Sequence, residues 1–330
     1  MQRLRVAVRE PFRLDLTVAV LQRLPVNPVE VWVPGAAPAP APTPAPGRYL
    51  RAFSTLRGPV AWIVTPDPAG GLLLELRGPA GDPAPWIARL RRALGTDVDL
   101  APFYARARRF PPLARLARML RGVKPPRFAA LHESFASVLL FQQVSLASAL
   151  ATLRRLVVSL SPPVEVDGTV LHPFPDAGAI DALSERELRG FGMSGVKARA
   201  LRAACRAIDA GALTEDALAA LPSPALRDRL LALDGVGPWT AELLMLRGFG
   251  RLDAFPPGDV AAERLLRDLG SDASGRELIE ALGPTRGMLY YHLSLHRLAA
   301  LGRGPFAGAA VGLTVTGARA RGRPPSPPRT

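Results

Sequence analysis

A single cysteine, Cys205, stands in 330 residues. An internal disulfide and a four-cysteine iron–sulphur cluster are therefore excluded. Histidine is almost as scarce. His132, His172, His292 and His296 form no metal constellation, and no Glu-rich motif accompanies the His292/His296 pair. No metal or cofactor is expected. No apolar run reaches the length of a membrane span, and arginine interrupts most of them, so no membrane contact is expected either. The N-terminus lacks the charged-then-apolar pattern of a secretory signal, which makes the cytoplasm the expected location. Lysine is nearly absent, with only Lys124 and Lys197. What is abundant is arginine: the net charge is +14, with a pI of about 11.3. Such a field favours polyanions, nucleic acid foremost. Part of this charge reflects the Ala/Pro/Arg-heavy composition of GC-rich coding, so it supports that partner without establishing it.

An apolar content of 48% with 21% charged residues describes a globular protein with room for two or three domains. Residues 1–105 read as mixed α and β. Arg3–Val8, Val29–Val33, Tyr49–Thr55, Val60–Thr65 and Leu72–Leu76 are short β-rich runs, and Leu16–Leu24 and Trp86–Leu94 read as helices. The Ala/Pro repeat Pro34–Pro46 is expected to be an exposed loop, since proline cannot feed a sheet ladder. From Phe110 to about Leu301 the pattern is helical throughout. Phe128–Phe141 carries one apolar stripe and Ser145 is a candidate N-cap for a helix through Val157. Helices are further predicted over Asp181–Gly190, Lys197–Ala210, Leu226–Leu233, Thr240–Leu246, Arg276–Leu282 and Gly287–Leu301. Residues 303–330 form a basic tail expected to be disordered.

The chain is organised around Leu233–Leu266. Two helical patterns meet at Gly235-Val236-Gly237, and Pro238 suits the first turn of a helix. Amides of Gly235, Gly237 and Trp239 at a positive helix N-terminus make a phosphate site from backbone alone; a plain turn between helices fits the same residues. Downstream, Phe255-Pro256-Pro257-Gly258 breaks the chain and Asp259 opens a new amphipathic run. Taken alone, Asp259 reads as an N-cap.

Hairpin, rigid spacer and carboxylate in this order resemble the helix-hairpin-helix DNA glycosylases, specifically the DNA-3-methyladenine glycosylase II family. The resemblance implies an α+β protein: a small antiparallel sheet in 1–105 as scaffold, then an all-α domain over 106–302, with two lobes and the active-site cleft between them. It implies that Asp259 is catalytic, a role compatible with capping. It assigns Gly235, Val236, Gly237, Trp239 and Thr240 to DNA binding. Gln142-Gln143-Val144-Ser145 matches the family's Gln-Gln-x-Ser, which adds Gln142 and Ser145 to that surface and makes Gln143 the wedge that fills the gap left by an extruded nucleotide. Read on their own, the two glutamines simply end a helix. Where related enzymes that also cut the backbone carry a Schiff-base lysine, this chain has Trp239, which cannot form that covalent bond.

The resemblance thus implies a monomeric, monofunctional enzyme of base excision repair. It would flip and hydrolytically excise alkylated purines from double-stranded DNA, with Trp239, Leu243, Thr285 and Tyr290 lining the substrate pocket. Asp253 is a weaker catalytic candidate, and Asp234 and Glu242 are expected on solvated helix faces. Some family features are missing. Leu243 replaces a frequent tyrosine, and Leu282-Gly283-Pro284-Thr285-Arg286 lacks the aromatics of the usual Trp-Arg-Pro-Trp-Arg, so the pocket is less aromatic than the family's. Two other readings stay open. A non-catalytic hairpin DNA-binding protein would need neither Asp259 nor a wedge. A glycosylase for oxidised or mismatched bases is the other, though Trp239 and the lone Cys205 argue against its usual bifunctional and iron–sulphur forms.

Overall fold

A computed structural model describes residues 2–35, 46–268 and 275–303. The interior of the Ala/Pro repeat and the predicted disordered tail lie outside the described residues. The N-terminal strands are β1 (Gln2–Val6), β2 (Val31–Val33), β3 (Arg48–Phe53), β4 (Val60–Pro66) and β5 (Leu72–Arg77), close to the β-rich runs of the sequence. They form one antiparallel sheet in the order β1-β5-β4-β3-β2. Alternate residues of β4 serve two cores. Val60, Trp62 and Val64 face helices α1 (Leu14–Gln22) and α2 (Ala84–Leu94). Ala61 and Ile63 face a short hairpin, β6 (Val164–Val166) and β7 (Thr169–Leu171), through Val166 and Leu171.

That hairpin corrects the all-helical reading of 110–301. Its turn is Asp167-Gly168, both at positive φ, and it returns from the helical part of the chain to cover the sheet's second face. The remaining elements are helices. In chain order they are α3 (Ala101–Ala107), α4 (Pro111–Met119), α5 (Leu131–Phe141), α6 (Leu146–Leu160), α7 (Ala177–Asp181), α8 (Glu185–Gly190) and α9 (Gly195–Asp209). They continue with α10 (Glu215–Ala219), α11 (Ser223–Leu231), α12 (Pro238–Arg247), α13 (Val260–Asp268), α14 (Gly275–Leu282) and α15 (Gly287–Ala300). The predicted single helix Asp181–Gly190 is two. Ser184 accepts from Glu187 N while the Glu187 carboxylate accepts from Ser184 N, a capping box that starts α8.

The helices enclose two cores. One gathers α3, α4, α5 and α11 to α15; the other gathers α5 to α9. Helix α5 is common to both and ends between them. The first 105 residues are not packed separately from these cores: Leu16, Ala19 and Val20 of α1 sit in the larger one. Arg51 of β3, fully buried, pairs with Glu30 and with Glu133 of α5 (2.5 Å), joining sheet to helices.

Candidate active site

Helices α11 and α12 form the predicted hairpin, anchored by buried Leu226, Leu230 and Val236. Gly235 has φ +75°, and a Cβ there would lie 2.6 Å from the Ala200 Cβ of α9, so this position needs glycine for conformation and for space. Gly237 is different. Its backbone is extended, and an added Cβ would meet nothing within 4 Å, which leaves room for an incoming group. Val236 N donates inward to Leu233 O (3.1 Å), and the first helical bond of α12 runs from Ala241 N to Gly237 O (2.9 Å). Earlier amides of that turn have no intrahelical acceptor, the usual condition of a helix N-terminus.

The Gln142–Ser145 loop lies against this hairpin. Gln142 donates through Nε2 to Gly235 O (3.0 Å) and to the Thr240 hydroxyl (2.7 Å). Lys197, remote in sequence, is close in space: its Nζ donates to Gln142 O (2.6 Å) and Leu140 O (3.4 Å), and burial lowers its pKa. Gln142 is thus a brace. Gln143 beside it is exposed at φ +51°, and Ser145 caps α6 through Ser148 N (3.1 Å). Of the sequence candidates for DNA contact, Gly235, Gly237, Gln143 and Ser145 are exposed. The side chains of Val236 and Thr240 are buried in the fold, so their backbone is the part open to a ligand.

Asp259 follows Gly258 and is half-buried. One carboxylate oxygen accepts from Ala262 N (3.0 Å) and caps α13; the other accepts from the Trp239 indole (3.2 Å). Cap and hairpin contact therefore coexist on one side chain. The loop before it is pinned from three sides. Ser223 of α11 donates to the Asp253 carboxylate (3.1 Å), Gly287 N to Leu252 O (2.7 Å), and Arg286 to Asp253 O. From α12, Glu242 pairs with Arg227 and accepts from Phe255 N (3.0 Å), the last amide before two prolines. Glu242 was expected in solvent and is only 9% exposed. A lone acid inside the apolar run Ala241–Leu246 was the signal for it. Asp234 is exposed, as read.

Of the expected pocket residues, Trp239 is half-buried and Leu243, Thr285 and Tyr290 are inside the fold. Thr285 donates to Leu282 O (2.8 Å), and Tyr290 packs edge-on against Tyr291 (6.0 Å). Of the four, only Trp239 reaches Asp259. Two clefts of about 550 Å3 each lie elsewhere, on either side of α2, and share Ala88 and Arg92. His292 is a core residue whose Nδ1 bonds Met288 O (2.8 Å), and burial pushes its pKa down to about 4. Burial pushes the Cys205 thiol up to about 12. Among the described residues, no group of three or more His, Cys, Asp or Glu is placed to hold a metal.

Known proteins share part of this arrangement. Residues 136–283 match the family described as HhH-GPD superfamily base excision DNA repair protein. Over that segment, which is less than half of the chain, the protein resembles the HhH-GPD superfamily. The matched segment holds the Gln142–Ser145 loop, the hairpin, Trp239 and Asp259. The chain is similar to a Mycobacterium tuberculosis protein named probable bifunctional transcriptional activator/DNA repair enzyme AlkA, 32% identical over 192 residues, or 58% of this chain and 38% of that protein. It is 27% identical over 191 residues to the DNA-3-methyladenine glycosylase of Bacillus subtilis, covering 57% and 63%. The chain thus spans less than two thirds of either relative. In fold, it resembles a 3-methyladenine DNA-glycosylase from Archaeoglobus fulgidus, with a TM-score of 0.70 at 20% identity over 90% of this chain and 98% of that one. The HhH-GPD match starts within α5, so the N-terminal sheet lies outside it.

Proposed function

We propose that this protein is a monofunctional DNA glycosylase of the HhH-GPD superfamily, which removes alkylated purines of the 3-methyladenine type from double-stranded DNA and leaves an abasic site. The observation that carries this reading is the bond between Trp239 and Asp259. It puts a carboxylate, not an amine, beside the exposed hairpin. Breaking an N-glycosidic bond develops oxocarbenium character at the sugar, and a fixed negative charge near that cation lowers the barrier. An alkylated base is already a good leaving group, so a second carboxylate acting as general acid is not required. The base must first leave the stack; exposed Gln143 is positioned to occupy the vacancy, while the hairpin amides hold a phosphate. The name of the Bacillus relative supports the substrate class, and that of the Mycobacterium relative supports a role in DNA repair. Lys197, whose amine is engaged by two carbonyls, is not the Schiff-base nucleophile. The protein acts as a monomer in the cytoplasm, with the sheet of 1–105 as scaffold.

The test is incubation with alkylated duplex DNA and chromatography of the released bases. Methylated purines are expected, the strand stays intact until alkali or heat is applied, and borohydride traps no protein–DNA adduct. A trapped adduct refutes the monofunctional assignment. Tight DNA binding without base release points to a non-catalytic hairpin protein.

A further inference from the structure

Between Asp99 and Glu133 the chain carries eight basic residues and no acidic one. Six of the eight, Arg106, Arg108, Arg109, Arg115, Arg118 and Arg121, belong to α3, α4 and the turns beside them. The two flanking acids are engaged elsewhere: Asp99 pairs with Arg9 (2.8 Å) and caps Ala101 N, and Glu133 is buried against Arg51. Helix α4 buries Leu113, Leu116 and Ala117 on one side and exposes Arg115 and Arg118 on the other. Arg108 and Arg109 are exposed as well. Among the described residues, none of these four arginines has an ion-pair partner. Helix α14 packs on α3 and brings Glu277 and Glu280, both exposed and paired with none of the four.

Folding alone does not ask for this pattern. Like charges at i and i+3, such as Arg115 and Arg118, disfavour a helix. Neither α3 nor α4 has an acid in its first turn, where the helix dipole favours one. An uncompensated, repulsive arginine face is stabilised when a polyanion covers it. Its position suggests which polyanion. Helix α13 begins just after Asp259 and packs on α14, and α14 packs on α3, so the arginine face belongs to the same lobe as the candidate catalytic carboxylate.

We infer that the α3–α4 face is a second DNA-contact surface, engaging duplex that flanks the segment held by the hairpin. This rests on the reading of the protein as a DNA glycosylase. The test compares the full-length protein with a variant carrying Arg108→Ala, Arg109→Ala, Arg115→Ala and Arg118→Ala, and with the four Arg→Lys changes as the charge-preserving control. Binding to an abasic-site duplex of about 30 base pairs is measured against salt. Each lost phosphate contact reduces the slope of log K against log[salt] by about 0.9, so the alanine variant should lose about two to four units of slope and the lysine variant almost none. On a duplex of about 10 base pairs, too short to reach both surfaces, all three proteins should bind alike. Single-turnover excision at saturating enzyme should not change. An unaltered slope in a folded alanine variant overturns the inference while leaving the glycosylase reading intact. Equal losses on short and long duplexes overturn the flank assignment. Absence of DNA binding by the unmodified protein overturns the underlying reading as well. Vesicles of phosphatidylglycerol and phosphatidylcholine form the last arm. Vesicle binding lost in the alanine variant, with DNA binding retained, assigns the face to membrane and overturns the inference.

Discussion

Replacing Asp259 by Asn removes one charge from a side chain that holds two hydrogen bonds, and the geometry separates the effects. As a cap of α13, Asn serves nearly as well as Asp, so the bond from Ala262 N can remain. The other oxygen becomes an NH2 group facing the Trp239 N–H, donor against donor. Losing that bond costs about 1 kcal/mol of stability. The charge itself matters more to the reaction. A carboxylate about 4 Å from a unit positive charge, at an effective dielectric of about 20, contributes about 4 kcal/mol, which corresponds to roughly a thousandfold in rate. We therefore expect Asp259→Asn to melt slightly below the unmodified protein, to bind abasic-site duplex normally, and to excise alkylated purines about a thousand times more slowly in single-turnover assays. Adding Trp239→Phe removes the facing donor and should restore stability but not rate. A folded, DNA-binding Asp259→Asn protein within tenfold of full activity would falsify the role assigned to the carboxylate.

The two hairpin glycines should respond differently. Gly235→Ala puts a side chain into a left-handed backbone against Ala200 and should lower stability by about 1–2 kcal/mol, read by thermal melting. Gly237→Val should melt near the unmodified protein yet bind DNA weakly in fluorescence anisotropy. Glu242→Ala leaves Arg227 unpaired and the Phe255 amide without its acceptor, so both stability (by about 1–3 kcal/mol) and excision rate should fall. Glu242→Gln keeps an acceptor for that amide and should retain more of both. For His292, the pKa of about 4 in the fold lies below the ordinary 6.5, so the unfolded chain takes up the proton first as pH falls. Stability should therefore drop between about pH 6.5 and 4, by about 3 kcal/mol. His292→Phe should flatten that part of the denaturation profile.

Local signals were readable wherever a short stretch carries its own physics. The β-rich runs, the Ser145 cap and the Gly-Val-Gly-Pro turn fall within a few residues of the observed elements, because alternation, capping and turn chemistry act over that range. Val164–Leu171 also carried such a signal, an Asp-Gly turn between alternating residues, and reading the whole span as helical hid it. The Ser184 capping box similarly divides a stretch read as continuous. Contacts between distant segments were not readable. Nothing near Trp239 announces that its indole meets Asp259, and nothing near Lys197 announces that its amine closes the end of α5. Leu243, Thr285 and Tyr290 came from a family pattern, and no local signal in the sequence announces that all three side chains are buried.

The Gln142 bonds have a mechanical consequence. One amide group joins the end of α5 to Gly235 and Thr240, and Lys197 fastens the same backbone to α9. The exposed Gln143 and the hairpin turn are therefore the two points of a caliper whose opening is fixed. Such a tool does not adapt to what it grips. On the proposed reading, a duplex that meets both points has to change its own shape to fit the gap.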